Sequence, residues 1–546
     1  MIKRICSTKF GKFMFDNFFL IMVSIISVII VYSPNMQKDI VVGADYTFHL
    51  IRIETLAVSL RNGVFPVKVH SALCYGFGYG VGFFYPNFFL YIPAALINMG
   101  LSLEVSYKIF VAFLQLGIFG GGYYAVFKLT RNKYASLFAA ILYHFSIAVL
   151  YSFYEDFTLG TSTAMIFLPL AIAGIYLVIT TGKSSNLFVL GFCGLIYSHV
   201  LTTVLVTITC FLITIIYWKK WINKWIIWKK LFLSTVIVLI LTAAFWIPLI
   251  EQWLSQTFRV SEPWTFVDDN VVRLYDLFNY HGIGIILLDL SIFIGLWLIR
   301  HWQTKYDKIF FFLGVGLTLI TTISIFWKIT RDNLFKFLQF PMRLFVVSTI
   351  LLIFATTLWI LQFDIKATSW EIIISISLVL NIYQATDYLN GRINNLEDFG
   401  YRTLHEEMAG IGAGEEWLPI QTTREHIVNT TIAYDDSGNF IEGIKEDGIF
   451  YLPVDGKSLY YDVPFVWYKG YAASINGEDV EVVQIEENGL ARVMINNTKN
   501  LSENSTLVVW YKGTILQKIA YGINLLGVLL LGIWGAICII NRTHRK

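Results

Sequence analysis

Long apolar runs separated by short polar breaks occupy most of the chain, and many of these runs have the length of a membrane span. A helix needs about 20 residues to cross ~30 Å of hydrocarbon. Runs that meet this requirement cover 15–34, 104–129, 134–152, 162–181, 229–251, 283–300, 308–328, 341–363, 370–388 and 515–540. Residues 186–217 are too long for one span. They end in the Trp/Lys belt Trp218-Lys219-Lys220-Trp221-Ile222-Asn223-Lys224-Trp225 and begin near Lys183, so both ends prefer the cytoplasmic side. Two helices with a turn near Ser198-His199 satisfy this. Residues 86–100 are too short and carry Pro86 and Pro93, so they read as a re-entrant or interfacial segment, which keeps Lys128, Arg131 and Lys133 inside. The pattern predicts an all-α polytopic membrane protein of about 12 transmembrane helices with both termini cytoplasmic. Residues 35–103, 153–161, 252–282, 329–340 and 389–514 then lie outside.

The period changes in 389–514. Val480-Glu481-Val482-Val483-Gln484-Ile485 and Leu490-Ala491-Arg492-Val493-Met494-Ile495 alternate as strands do, and Asn476-Gly477 and Asn488-Gly489 are hairpin signals. The expectation is a membrane domain over 1–388 and a small extracytoplasmic β-rich domain, such as a sandwich, over 389–514. A final helix with a basic cytoplasmic tail covers 515–546.

Composition agrees and adds a charge division. Hydrophobic residues make up 56% and charged residues 14%, with a mean hydropathy of +0.62, which no soluble core accommodates. The formal net charge of +3 averages two parts. Residues 389–514 hold 20 acids and 9 Lys or Arg, a net of −11, and the remainder carries +14. An outside domain so acidic is a poor grip for a polyanion. The polar region has no cysteine, and no Cys/His cluster marks a zinc or redox centre. Lys3, Arg4, Lys9 and Lys12 precede an apolar run with no small-residue cleavage site, which reads as an uncleaved first transmembrane helix.

Candidate chemistry gathers on the outside loops. Residues 46–61 read as an amphipathic helix ended by Asn62-Gly63, on which Asp45, His49 and Arg52 recur at i, i+4 and i+7 and share a face. A carboxylate, an imidazole and a guanidinium at a membrane surface suit proton transfer beside an anionic leaving group; helix capping and headgroup contact are the plainer roles. Tyr75 to Pro86 alternates glycine with aromatics, as for a sugar ring, a lipid tail or ordinary packing. Glu155 and Asp156 are adjacent acids at an outer helix end, and His199 sits at the tip of a helical hairpin. Arg343, with Arg331 and Lys336 in the same loop, runs against the positive-inside tendency, as Arg259 and Arg273 do more weakly. No P-loop, GxGxxG, HExxH or GxSxG stands in a fitting context, and nothing points to nucleic acid.

The stretches "GADYTFHLIRIETLAVSLRNGVFPVKV" and "YGFGYGVGFFYPNFFLYIPAAL", with "SHVLTT", "FWIPLIEQ", "FPMRL", "GAGEEWLP" and "VPFVWYKGYAA", resemble a group of bacterial multi-pass proteins catalogued as 6-pyruvoyl-tetrahydropterin-synthase-related and similar to YfhO-like membrane proteins. No pterin or zinc-ligand pattern accompanies the catalogue name. That group resembles the GT-C superfamily of membrane glycosyltransferases, which take a sugar from a polyprenyl-phosphate donor at the outer membrane face. The resemblance implies that Asp45 is the essential acid of the first outer loop and the catalytic base, and that Glu155 or Asp156 is the acid of the next loop. It implies Arg52 and Arg343 as phosphate-side cations, with His49, Glu155, Asp156 and His199 binding substrate. The second loop lacks the spaced acid pair of the metal-dependent branch, so no metal or other cofactor is implied. The partners implied are the lipid-linked donor, an envelope glycan, teichoic polymer or lipid as acceptor, and membrane lipids, in a bacterial cell membrane. A lipid or polysaccharide transporter or flippase, or a non-catalytic envelope-assembly subunit, is the alternative.

Overall fold

The computed structural model describes residues 17–38, 40–41, 43–220, 224–259, 266–278, 282–301, 307–331, 338–394, 411, 415–454, 457–495 and 505–543. Lys3, Arg4, Cys6, Lys9, Lys12, Trp221 to Asn223, Lys336, Gly412 to Gly414 and the last three residues of the basic tail lie outside the described residues.

Among the described residues, seven helices are long and apolar enough to cross a membrane: Phe18–Met36, Leu103–Thr130, Leu159–Thr181, Val200–Tyr217, Pro341–Ile360, Ala367–Gly391 and Ile515–Cys538. Three further pairs are long and apolar enough only when their two helices are taken together. They are Lys133–His144 with Ile147–Tyr154, bent by 42°, Lys224–Leu241 with Ala243–Ser255 by 76°, and Ile309–Ile320 with Ser324–Thr330 by 77°. The chain is a multi-pass membrane protein, with seven such spans among the described residues, or ten if each bent pair counts as one. The remaining two of the expected twelve crossings are the helices Ser185–Ile196 and Ile285–Arg300, which have 12 and 16 residues. Both fall short of the about 20 that the hydrocarbon requires. The break expected near Ser198-His199 is present, and the 86–100 segment forms a short apolar helical stretch, Phe88–Asn98.

The described chain groups into two compact units. The first holds Met1–Tyr46, Tyr107–Thr235 and Thr265–Phe399. Its helices approach closely where glycines remove side chains, the usual route to tight packing in lipid. A methyl on Gly121 would lie 2.3 Å from the carbonyl oxygen of Ile166, one on Gly174 2.4 Å from the Phe188 nitrogen, and one on Gly191 2.4 Å from the Ala171 nitrogen. The helices Leu103–Thr130 and Ser185–Ile196 therefore both lie backbone-close against Leu159–Thr181.

The second unit joins Thr47–Ser106 and Val236–Trp264 to Gly400–Lys546, so compactness does not follow the linear division at 388 and 514. Pro248 lies inside the helix Ala243–Ser255 and has no N–H to give to the Ala244 carbonyl. Lys68 Nζ donates to that carbonyl at 3.1 Å, and burial pulls the Lys68 ammonium down to about 7. Among its described residues the β-rich domain has nine strands: β1 Ile432–Asp435, β2 Phe440–Glu442, β3 Ile444–Glu446, β4 Ile449–Val454, β5 Tyr460–Val466, β6 Tyr471–Ile475, β7 Glu478–Gln484, β8 Leu490–Met494 and β9 Ser505–Tyr511. All pairs are antiparallel, in the order β2-β1-β5-β8-β7-β6-β9-β4-β3. β7 links two halves, pairing with β6 over Glu478 to Val480 and with β8 over Glu481 to Gln484. Tyr461, Val463 and Val493 from one half and Phe450, Leu452, Leu507 and Val509 from the other share one core, as a sandwich requires. Asn476 and Gly477 both take positive φ, 49° and 89°, in the turn between β6 and β7.

Gly191→Ala and Gly174→Ala each put a methyl into backbone. Each is expected to lower the apparent Tm of the detergent-solubilised protein by several degrees, read by a thermal-shift assay, whereas Gly120→Ala, with open space around its Cβ position, should change nothing.

Candidate functional site

The expected acids of the first two outer loops meet in the first unit through their main chains. Ala44 N–H donates to the Glu155 carbonyl at 2.8 Å, and Asp45 N–H to the Asp156 carbonyl at 2.9 Å. This pairing needs Gly43, because a methyl there would lie 2.7 Å from the Glu155 oxygen and 2.8 Å from the Phe157 Cβ. Phe157 holds a left-handed φ of 57°, a costly conformation for a bulky residue. Its ring stacks on Tyr107 at 5.0 Å and meets the edge of Tyr46 at 6.2 Å, contacts that hold the turn. The acid turn also closes on the helix before it, since Glu155 and Asp156 N–H both donate to the Tyr151 carbonyl at 3.0 Å.

Asp45 is exposed and Asp156 partly buried. Burial first, then the neighbouring Asp45 and Glu155 carboxylates, push the Asp156 carboxyl up to about 7. Arg343 and a hydrogen bond from Tyr151 pull in the other direction. Two acids near one cation therefore share less than two full negative charges at neutral pH. Arg343 stands in the short helix Pro341–Leu344, where its Nη1 donates to the Leu338 carbonyl at 2.9 Å and to Gln339 Oε1 at 3.1 Å. His199 lies at the start of Val200–Tyr217, its Nδ1 2.9 Å from the Thr202 hydroxyl and 3.3 Å from that of Thr161, on the helix that follows the acid turn. An accessible carboxylate, a second acid that holds a proton near neutrality and a cation beside them can move a proton next to a developing anion.

His49 and Arg52 belong to the second unit, and the face they were expected to share with Asp45 is not an open one. The helix Tyr46–Arg61 ends where expected, with Gly63 at φ 74°, but it buries every residue from His49 to Ile53. The following stretch reaches back onto it, with His70 at Thr55, Tyr85 at His49 and Arg52, Asn87 at Arg52 and Asn98 at the Ala57 carbonyl. Arg52 is fully buried: Nη2 donates to Asn87 Oδ1 at 2.8 Å and to the Tyr85 carbonyl at 3.3 Å, with the guanidinium 4.3 Å from the Tyr85 ring and 5.2 Å from that of Phe48. Its Nε and Nη1 have no hydrogen-bond partner among the described residues. Asn87 Nδ2 donates to His70 Nε2 at 3.0 Å, which leaves the His70 proton on Nδ1, facing the Thr55 hydroxyl at 2.9 Å. Burial, and then the Arg52 charge, pull His70 down to about 3, so it stays neutral, while burial brings Arg52 to about 10, still a cation. His49 is buried between the rings of Phe48 and Tyr85, at 5.2 and 5.7 Å.

The glycine-aromatic stretch takes the packing role. Tyr79 and Phe83 are fully buried, and the Phe83 ring lies 6.0 Å from both Tyr468 and Tyr511, while Phe84 stacks parallel to Trp417 at 6.0 Å. A methyl on Gly80 would lie 2.5 Å from the Tyr468 ring, which explains the glycine. Arg259 pairs with Glu415 at 2.9 Å and Arg331 with Asp268 at 3.4 Å. Among the described residues, no three His, Cys, Asp or Glu side chains are grouped to hold a metal ion. The sequence reading missed Asn35, Tyr151, Tyr154 and Phe157. Their residue types are ordinary at helix ends, and only the three-dimensional pairing marks them.

The raised Asp156 carboxyl makes stability depend on pH. The unfolded chain ionises this acid near 4 and the folded chain near 7, so ionisation works against the fold across that window. The Asp156 contribution is full below pH 4 and declines as pH rises to about 7. Asp156→Asn is expected to raise the apparent Tm at pH 8 relative to the parent and to have little effect at pH 4.5. Thermal unfolding at the two values checks this.

No family model matches the chain, and no curated protein matches it. Two solved structures that it resembles are both of arabinofuranosyltransferase AftD from Mycobacteria, one of them the mutant R1389S. Each is 13% identical with a TM-score of 0.43. The match covers 69% of this chain and 27% of one AftD chain and 28% of the other, so the chain spans little more than a quarter of the structures it matches.

Proposed function

We propose that this protein is a GT-C-type membrane glycosyltransferase that moves a sugar from a polyprenyl-phosphate donor to a cell-envelope acceptor, a glycan, teichoic polymer or lipid, at the outer face. The observation that carries the reading is the joining of Asp45 to Asp156 by main-chain pairing, with Arg343 close enough to offset their charge. A lipid-phosphate sugar is already activated, so the enzyme has two tasks: to deprotonate the acceptor hydroxyl and to stabilise the departing phosphate. In the proposed step the acceptor oxygen forms a bond to the anomeric carbon as the bond from that carbon to the phosphate oxygen breaks. The hydroxyl proton passes to the Asp45 carboxylate, and the bonding electrons leave with the polyprenyl phosphate. Arg343 faces the charge that develops there. Asp156, as the acid that keeps its proton near neutrality, donates a hydrogen bond to the sugar or acceptor, and Glu155 and His199 position them.

His49 and Arg52 have no step in this scheme, since both are buried in the second unit, Arg52 on the network described above and His49 between aromatic rings. With both termini cytoplasmic, the β-rich domain would lie on the outer side, and its net of −11 favours an uncharged or cationic ligand over a polyanion.

A transporter has one observation on its side: His144 Nε2 lies 2.7 Å from Gln115 Oε1, a polar pair buried within the helices of the first unit. Reconstitution separates the two readings, because a transporter moves labelled lipid without consuming sugar donor. For the transferase, Asp45→Asn is expected to reduce transfer about 1,000-fold, the loss of a proton acceptor, with membrane insertion unchanged and Tm not lowered. Full activity of this variant with purified donor and acceptor overturns the base assignment.

A further inference from the structure

We propose that Asn35 and Tyr154 are positioning residues that hold the two acid-bearing segments in register, an inference that rests on the reading of Asp45 and Asp156 as the reacting pair. Tyr154 is the last residue of the helix Ile147–Tyr154, immediately before Glu155 and Asp156. Asn35 lies in the short helix Ser33–Met36 that ends the first span and leads towards Asp45. The Tyr154 hydroxyl donates to the Val31 carbonyl at 2.5 Å and accepts from Asn35 Nδ2 at 3.0 Å. Both side chains are almost fully buried, at 3% exposure for Asn35 and 1% for Tyr154. A hydroxyl and an amide in apolar surroundings are retained at a desolvation cost unless their bonds are made, so the pair acts as a specific latch rather than as filling.

The same segment is gripped further along. Lys108 Nζ donates to the carbonyls of Gln37 and Lys38 at 2.6 and 3.0 Å, and the Tyr32 hydroxyl donates to the Lys108 carbonyl at 3.0 Å. Ile40 and Val41 are buried beyond it. The latch and these contacts carry the chain from the end of the first span to Gly43, where pairing with Glu155 and Asp156 begins. Releasing the latch frees one end of each paired segment, so the distance between Asp45 and Asp156 becomes variable and water reaches Asp156. Neither Asn35 nor Tyr154 needs to touch substrate for this.

The groups that face Asp156 are Asp45, Glu155, Tyr151 and Arg343. Burial and the two acids hold its carboxyl up, so loosening the pair lets it fall towards the ordinary carboxylate range. The test uses the full chain in lipid nanodiscs and follows the infrared band of the protonated carboxyl against pH, alongside kcat and KM where transfer is measured. In the parent a carboxyl titrating near 7 is expected, and it should vanish in Asp156→Asn. Tyr154→Phe, which keeps the ring, and Asn35→Ala should each move the midpoint down by about one unit or more. Both should lower kcat roughly tenfold with KM little changed, as misaligned reacting groups do. If Tyr154→Phe fails to fold, Asn35→Ala decides alone. An unmoved midpoint in the folded variants, or a titration that survives Asp156→Asn, overturns the proposal. The infrared measurement does not depend on transfer, so an inactive parent with a latch-dependent midpoint would overturn the proposed function and leave the latch standing.

Discussion

Two main-chain hydrogen bonds, from Ala44 and Asp45 to the carbonyls of Glu155 and Asp156, are the constraint from which the candidate site follows. They join segments more than a hundred residues apart and bring like charges together, which the electrostatics alone would resist. The opposition is met locally. Gly43 gives the two backbones room to approach, the Phe157 ring is held by Tyr46 and Tyr107 in a conformation it would otherwise avoid, and Arg343 supplies positive charge. Burial first, and then the repulsion that remains, hold the Asp156 carboxyl up at about 7. The geometry thus makes two chemically equivalent side chains unequal, one exposed and suited to accept a proton, the other inclined to keep one.

The second unit solves a different problem, the retention of a buried cation with no carboxylate partner among the described residues. Arg52 gives up most of its hydration, and the structure replaces it with an amide oxygen, backbone carbonyls and two aromatic faces. The Asn87 amide must present its oxygen to Arg52, which aims its nitrogen at His70 and sets that ring's tautomer. One buried charge therefore orders three further polar residues, Asn87, His70 and Thr55. The same unit packs the aromatic stretch Tyr79 to Tyr85 against Tyr468, Trp417 and Phe258, so Thr47–Ser106 and the β-rich domain fold as one body.

Much of this architecture is legible along the chain because its signals are local. A run of about 20 apolar residues has no other low-energy environment than a bilayer, so most spans follow from hydropathy. The Asn-Gly turns and the alternation on both sides of Asn488 give β7 and β8 almost to the residue, and Asn62-Gly63 ends its helix as read. The resemblance also singled out Asp45 and Glu155 or Asp156 as acids of successive loops, without saying that they meet. The helix count was less legible, since a hydropathy run does not distinguish a straight span from one bent at Thr242, where backbone turns and Lys68 takes the carbonyl that Pro248 leaves unpaired.

By itself, then, the sequence determined the membrane character, the strand pattern of the β-rich region and the list of polar residues on the loops, because composition and short-range period govern these. Only the tertiary structure decided which of those residues meet. A spacing of i, i+4 and i+7 put Asp45, His49 and Arg52 on one helix face, but burial depends on what packs on that face, and Tyr85 and Asn87 lie against His49 and Arg52. Asp45 instead pairs across the chain with Asp156, beside Arg343. That choice rests on backbone hydrogen bonds and on the absence of a side chain at Gly43, neither of which has a periodic signature in the sequence.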